Sequence, residues 1–149
     1  GLLLYSMLFE HGFSNQPFSE NSDDNLKLEN CRITNAVKCL PPANKPMGEE
    51  VSNCSDYLVD DIIKVPEGGV ILALGKIAHD AVIKALNLRL VDFKFSHGNL
   101  HLLEVRSLTL VDSYHCSRYN TQTKRLTTLM FSNIFKVVLT VFKGRTPGG

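Results

Sequence analysis

Three groups of side chains in this 149-residue chain are of types and spacings that do chemistry. Asn35 interrupts the apolar run of Ile33, Ala36 and Val37. Burying an unpaired amide costs about 1–3 kcal/mol, so Asn35 needs partners. Those are either a structural hydrogen bond to a neighbouring loop or the edge of a base, to which a carboxamide offers donor and acceptor together. Cys39 and Cys54 flank a stiff turn built on Pro41, Pro42, Asn44 and Pro46. Fourteen intervening residues are weak evidence for a metal by spacing alone, since a lone cysteine is ordinarily a small buried apolar residue. Finally, His115 and Ser117 follow an apolar strand, ahead of Arg118, Tyr119, Asn120, Lys124 and Arg125. That stretch reads either as a solvated loop leading into a helix or as a set of phosphate contacts.

The elements that position these groups follow from hydrophobic period. Leu3 to Gly12 reads as a helix stopped by Gly12. Asn15 to Asn30 is polar and reads as a long surface loop. Arg32 to Cys39 reads as a short buried strand, and Glu49 to Lys64 as a helix with Val51, Cys54, Leu58 and Ile62 on one face. Gly69 to Gly75 is a continuous apolar run, the mark of a strand covered on both faces. Lys76 to Leu88 is then a helix, Phe93 to Val105 a hairpin around His97-Gly98-Asn99, Leu108 to Tyr114 a strand, and Leu126 to Val141 a closing helix. Strands alternating with helices predict a parallel α/β sheet with helices on both faces. Functional groups in such sheets collect beyond the carboxyl ends of the strands, where Cys39 to Pro42, Gly75-Lys76 and His115 to Ser117 all fall.

Composition narrows the classes. The chain is one domain by length, and 44% hydrophobic residues supply a core. A formal charge of +1 leaves nucleic-acid contact to local basic loops rather than to a global field. No apolar run reaches the roughly 18–20 residues of a membrane span. Four cysteines without CxxC or a leader point to a reducing cytoplasm rather than a disulfide framework. The chain opens on glycine, within a helical pattern, so a fragment cut near a helix is expected; residues 144–149 read as a frayed tail. His11, His79 and His101 read as surface or packing residues. His97, in Phe95-Ser96-His97-Gly98, is explained by a turn. Gly75 lies where a phosphate-binding turn would, but GxGxxG is absent.

Taken together, Asn35 in its strand, Cys39-x-Pro-Pro-x-Asn-x-Pro with Cys54, and Tyr114-His115-Cys116-Ser117-Arg118-Tyr119-Asn120 with Thr123-Lys124-Arg125-Leu126 resemble the iron–sulfur branches of the uracil-DNA glycosylase superfamily, most closely family 5. The resemblance covers nearly the whole chain. It implies a three-layer α/β/α sandwich with a small, mainly parallel central sheet, truncated at the amino terminus. Residues 1–149 would be the carboxyl-terminal two-thirds of one such domain. It implies base-excision repair chemistry on uracil-containing DNA by a monomer, with the fragment inactive alone. Asn35 would read the base, and His115 would stabilise charge on the departing base. Ser117, Arg118, Tyr119, Asn120, Lys124 and Arg125 would hold DNA, Tyr119 being the candidate wedge. Cys39 and Cys54 would be two of four ligands of a [4Fe–4S] cluster, the others lying upstream; Cys31 and Cys116 do not match that pattern. Two departures stand out. Cys116 replaces a proline, and Lys124 stands where relatives often carry glycine. A damage-binding module without catalysis and an unrelated α/β nucleotide-binding domain are the competing readings.

Overall fold

The computed structural model describes residues 2–17, 26–34 and 57–145; Asn35, Cys39 and Cys54 lie outside them. Helix α1 (Leu2–Glu10) comes first, and α2 is the helical stretch over 57–63. Strand β1 (Val70–Leu74) leads into α3 (Lys76–Ala85). Strands β2 (Leu100–Leu102) and β3 (Thr109–Ser113) follow, then the short α4 (Arg118–Gln122) and the long α5 (Thr128–Arg145). The sheet among the described residues has the order β1-β3-β2. β1 and β3 are parallel, with Leu74 opposite Ser113; β2 runs antiparallel to β3, with His101 opposite Leu110.

Side-chain alternation along the strands builds two cores. Val70, Leu72 and Leu74 of β1 and Val111 of β3 join α1 and α5 on one face. Ile71, Ala73 and Leu110 join α2 and α3 on the other. The result is a three-layer α/β/α arrangement, because a strand covered on both faces must be apolar at every position. In α5, Phe131, Ile134, Phe135 and Val138 recur at the i, i+3, i+4, i+7 spacing that makes one helical face and are buried. The Phe131 and Phe135 rings meet edge to face at 5.2 Å. Each fully buried phenyl of this kind is worth about 1.5–3 kcal/mol of transfer free energy. No helix among the described residues is long and apolar enough to cross a membrane.

Three expectations are corrected. Residues 32–34 are neither strand nor buried: Arg32, Ile33 and Thr34 are exposed and irregular. They are pinned instead to α2, where the buried Asp61 takes a hydrogen bond from Thr34 Oγ1 at 2.7 Å and an ion pair from Arg32 at 3.0 Å. The turn at His97-Gly98-Asn99 exists, but Phe93 to Val105 is not a hairpin. Its second arm pairs with β3, and the hairpin is β2–β3, closed by Leu103 N–H donating to Leu108 O at 2.8 Å. A three-residue strand finds its partner by tertiary pairing, which local pattern does not announce. That antiparallel pair also makes the sheet mixed rather than simply parallel.

Candidate functional site

Parallel pairing brings the carboxyl ends of β1 and β3 side by side, and the chemistry-bearing residues gather there. Gly75 N–H donates to Ser113 O at 2.7 Å, which closes the ladder and sets His115 against Gly75. A Cβ added at Gly75 would lie 3.2 Å from the His115 Cβ, and Gly75 has φ +95°. Both facts require glycine, for reasons of close approach and of backbone conformation rather than phosphate binding.

His115 is exposed, and its backbone is secured on both sides. Ser113 Oγ donates to Tyr114 O at 2.9 Å, and Asn120 Nδ2 donates to His115 O at 2.9 Å. Ser117 caps α4, its Oγ accepting the Asn120 N–H at 3.2 Å. Asn120 O then accepts from the buried Leu126 N–H at 3.0 Å, anchoring the segment in the core. Capping and the Asn120 clamp hold the turn that a proline at Cys116 would otherwise stiffen. Cys116 packs against the α1/α5 core, and burial pushes its thiol up from the ordinary value.

Tyr114 is packed between neighbours. The His97 ring stacks on it at 4.7 Å and 20°, the Phe95 ring lies 6.4 Å away, and the Arg125 guanidinium sits 4.8 Å from its centroid. Arg125 is thus held by a cation–π contact. Tyr119 is 71% exposed on α4, beside the exposed Arg118. Lys124 adopts φ +62°, a left-handed conformation that glycine takes without strain. After Asp112 the chain carries Arg118, Lys124, Arg125, Lys136, Lys143 and Arg145 and no Asp or Glu. Net charge hides that asymmetry; charge by segment exposes it.

Sequence reasoning missed a second cluster. His79 is not a surface or packing residue, nor is His101. Both meet the fully buried Asp112: His79 Nδ1 lies 2.7 Å from Oδ1 and His101 Nε2 lies 2.7 Å from Oδ2. His79 Nε2 is 2.6 Å from the Phe93 carbonyl oxygen. A carbonyl only accepts, so Nε2 carries hydrogen and donates to it. Both ring nitrogens of His79 are thus engaged, one by the Phe93 carbonyl and the other by the Asp112 carboxyl group. The three donor atoms lie within 4.8 Å of one another, and histidine and carboxylate are metal-ligand types. Ligand atoms around a tetrahedral zinc sit about 3.3 Å apart, given bonds near 2 Å, whereas these contacts are hydrogen bonds. The available signal was Asp112 itself, a carboxylate in a wholly buried strand, which must have charged or polar partners. Among the described residues the free cysteines are Cys31 and Cys116. Burial raises the Cys31 thiol as well, which disfavours the thiolate that a metal takes as its ligand.

Residues 1–139 match the family model described as the Uracil DNA glycosylase superfamily. The chain is 41% identical over 134 residues to a Type-5 uracil-DNA glycosylase of Thermus thermophilus, covering 90% of this chain and 60% of that protein. It is 38% identical over 133 residues to a Type-5 uracil-DNA glycosylase of Pyrobaculum aerophilum, covering 89% and 57%. A Type-4 uracil-DNA glycosylase of Archaeoglobus fulgidus is 31% identical over 93 residues, covering 60% of this chain and 46% of that protein. The chain thus spans somewhat more than half the length of these two Type-5 relatives.

Proposed function

The chain belongs to the uracil DNA glycosylase superfamily, and from that premise we propose that the full-length protein excises uracil, or a related deaminated base, from DNA. The observation that carries the reading is the exposed His115 held at the carboxyl end of β3 by Asn120 and Ser113. It is followed by a stretch with basic but no acidic residues. In this reading the bond between the sugar and the base nitrogen breaks, and its electron pair leaves on the base. Water then adds to the sugar carbon and loses a proton, leaving an abasic site. His115 donates a hydrogen bond to the base oxygen on which negative charge grows, a placed donor being the usual source of such stabilisation. Asn35 reads the base edge; the segment before it is anchored to Asp61. Arg118 and Lys124 neutralise phosphates, Arg125 stiffens Tyr114, and Tyr119 fills the gap left by the flipped base. We place the protein in a reducing cytoplasm on the reading of its cysteines, and take it as a monomer as the family resemblance implies.

The test is release of free uracil from a duplex holding one uracil, by the full-length protein. Tight binding without release would favour a damage-binding module instead. Run across a salt series, the same duplex checks the interface. Replacing Arg118 or Lys124 by Gln should weaken binding and lower the salt slope by about 1 for each phosphate no longer neutralised. An unchanged slope would remove that residue from the interface.

We also propose that Cys39 and Cys54 hold an iron–sulfur cluster in the full-length protein. This rests on their motif alone, and no chemical step is routed through the cluster. When bound, it would tie the turn after Cys39 to the following helix. Protein purified without oxygen should hold about four iron atoms per chain. Cys39→Ser or Cys54→Ser should lose them and Cys31→Ser should not. Iron content unchanged in the first two variants would end the proposal.

A further inference from the structure

We propose that His97 is a positioning residue for His115, its ring nitrogen standing in for the missing strand partner of Tyr114. This inference rests on the functional reading of His115 given above. Continued without interruption, the β2–β3 register of His101–Leu110 and Leu100–Val111 would set residue 97 opposite Tyr114. The ladder does not continue there in the ordinary way. Asn99 N–H donates to Ser96 O at 3.0 Å, closing a tight turn with His97 and Gly98 at its centre. Gly98 has φ +88°, as a turn of type II demands at its third position. Gly98 N–H donates to Asp112 O at 2.9 Å and Asp112 N–H to Asn99 O at 3.0 Å. Two residues therefore oppose one, a bulge of the glycine type.

A bulge ends the regular pairing and leaves the next amide of β3, that of Tyr114, without a backbone acceptor opposite. A buried N–H left unpaired is costly. The Tyr114 N–H donates to His97 Nδ1 at 3.0 Å, and the same imidazole stacks on the Tyr114 ring. One side chain thus fixes both the backbone and the ring of the residue before His115. The turn is itself held rigidly. His79 Nε2 binds Phe93 O, His101 flanks Asp112, and the Asp112 backbone brackets Gly98 and Asn99. The buried cluster of His79, His101 and Asp112 is the foundation on which His97 is mounted.

The contact has a protonation requirement. Nδ1 must be bare to accept, so the neutral ring carries its proton on Nε2. Burial lowers the imidazole from its ordinary value, which favours that neutral form. The charged and titratable groups facing it are Tyr114, Arg125 across the Tyr114 ring, and Asp112 behind the turn. As pH falls through the lowered value, Nδ1 gains a proton, the acceptor is lost, and the Tyr114 amide is released.

The test compares the full-length protein with His97→Ala and His97→Asn. Asparagine offers an oxygen near the Nδ1 position and does not titrate. His97→Ala should slow single-turnover uracil release about ten-fold, the scale of one lost hydrogen bond, with DNA affinity unchanged. The Tyr114 amide should exchange with solvent faster in the same variant. His97→Asn should restore both, and its acid-side fall in rate should be shallower than the parent's by one proton. The inference is overturned if Tyr114 exchange is the same in His97→Ala and parent, or if His97→Asn behaves as His97→Ala does. Should His97→Ala not fold, the asparagine variant decides: an acid-side fall as steep as the parent's overturns the inference. A parent that releases no uracil would sink the functional reading alone, because Tyr114 amide exchange still reports on His97.

Discussion

His115→Ala in the full-length protein should cut the single-turnover rate of uracil release by about 10²-fold, with DNA affinity little changed. One preorganised donor aimed at developing charge is typically worth about 2.7–4 kcal/mol of barrier. The geometry favours such a role over a docking role. His115 is exposed, yet its backbone is bound by Asn120 and its Cβ is packed on Gly75. An exposed ring on a fixed stem costs little to reorganise when charge appears. The measurement is a rate at saturating protein, so that binding does not enter. Cleavage at the parental rate would reduce this segment to a DNA-docking element.

A second large effect is expected on stability. Asp112→Ala should destabilise the protein by about 3–5 kcal/mol, the usual cost of stripping one partner from a buried ion pair. Both His79 and His101 are deprived of their carboxylate, and the fully buried His79 cannot turn to bulk solvent instead. Asp112→Asn should cost far less. Its amide N–H can face a neutral His79 Nδ1 while its oxygen still accepts from His101, so every polar atom keeps a partner. Chemical denaturation of the three proteins checks this. An alanine variant within about 1 kcal/mol of the parent would mean that the cluster is not a buried ion pair.

Local pattern was sufficient wherever the physics is local. The run Val70-Ile71-Leu72-Ala73-Leu74 has no stable home except a strand covered on both faces. The i, i+3, i+4, i+7 apolar set of α5 has none except a helix on a core. Hence β1, α3 and α5 were legible, and with them the carboxyl-end geometry that places His115. The left-handed conformation of Lys124 was seen only in the folded chain. The residues of α4 were recognisable as a group, but Ser117 as its cap and Asn120 as a clamp on the His115 carbonyl belong to the folded turn.

Three-dimensional packing decided the rest. The stretch 93–105 looked like its own hairpin because Gly98 marks a turn. Which strand Leu100–Leu102 would pair with is set by β3, and β3 is chosen by the register of β1. His79, His101 and Asp112 share no motif. They lie on a helix and two strands, and His79 and His101 each alone read as packing or surface residues. By itself, then, the sequence determined the family, the layered class and the residues with chemical promise. Only the tertiary structure brought His79 and His101 onto the buried Asp112 behind the turn of His97. A charge taken out of water is tolerated only where folding has already brought its counter-charge within hydrogen-bond distance.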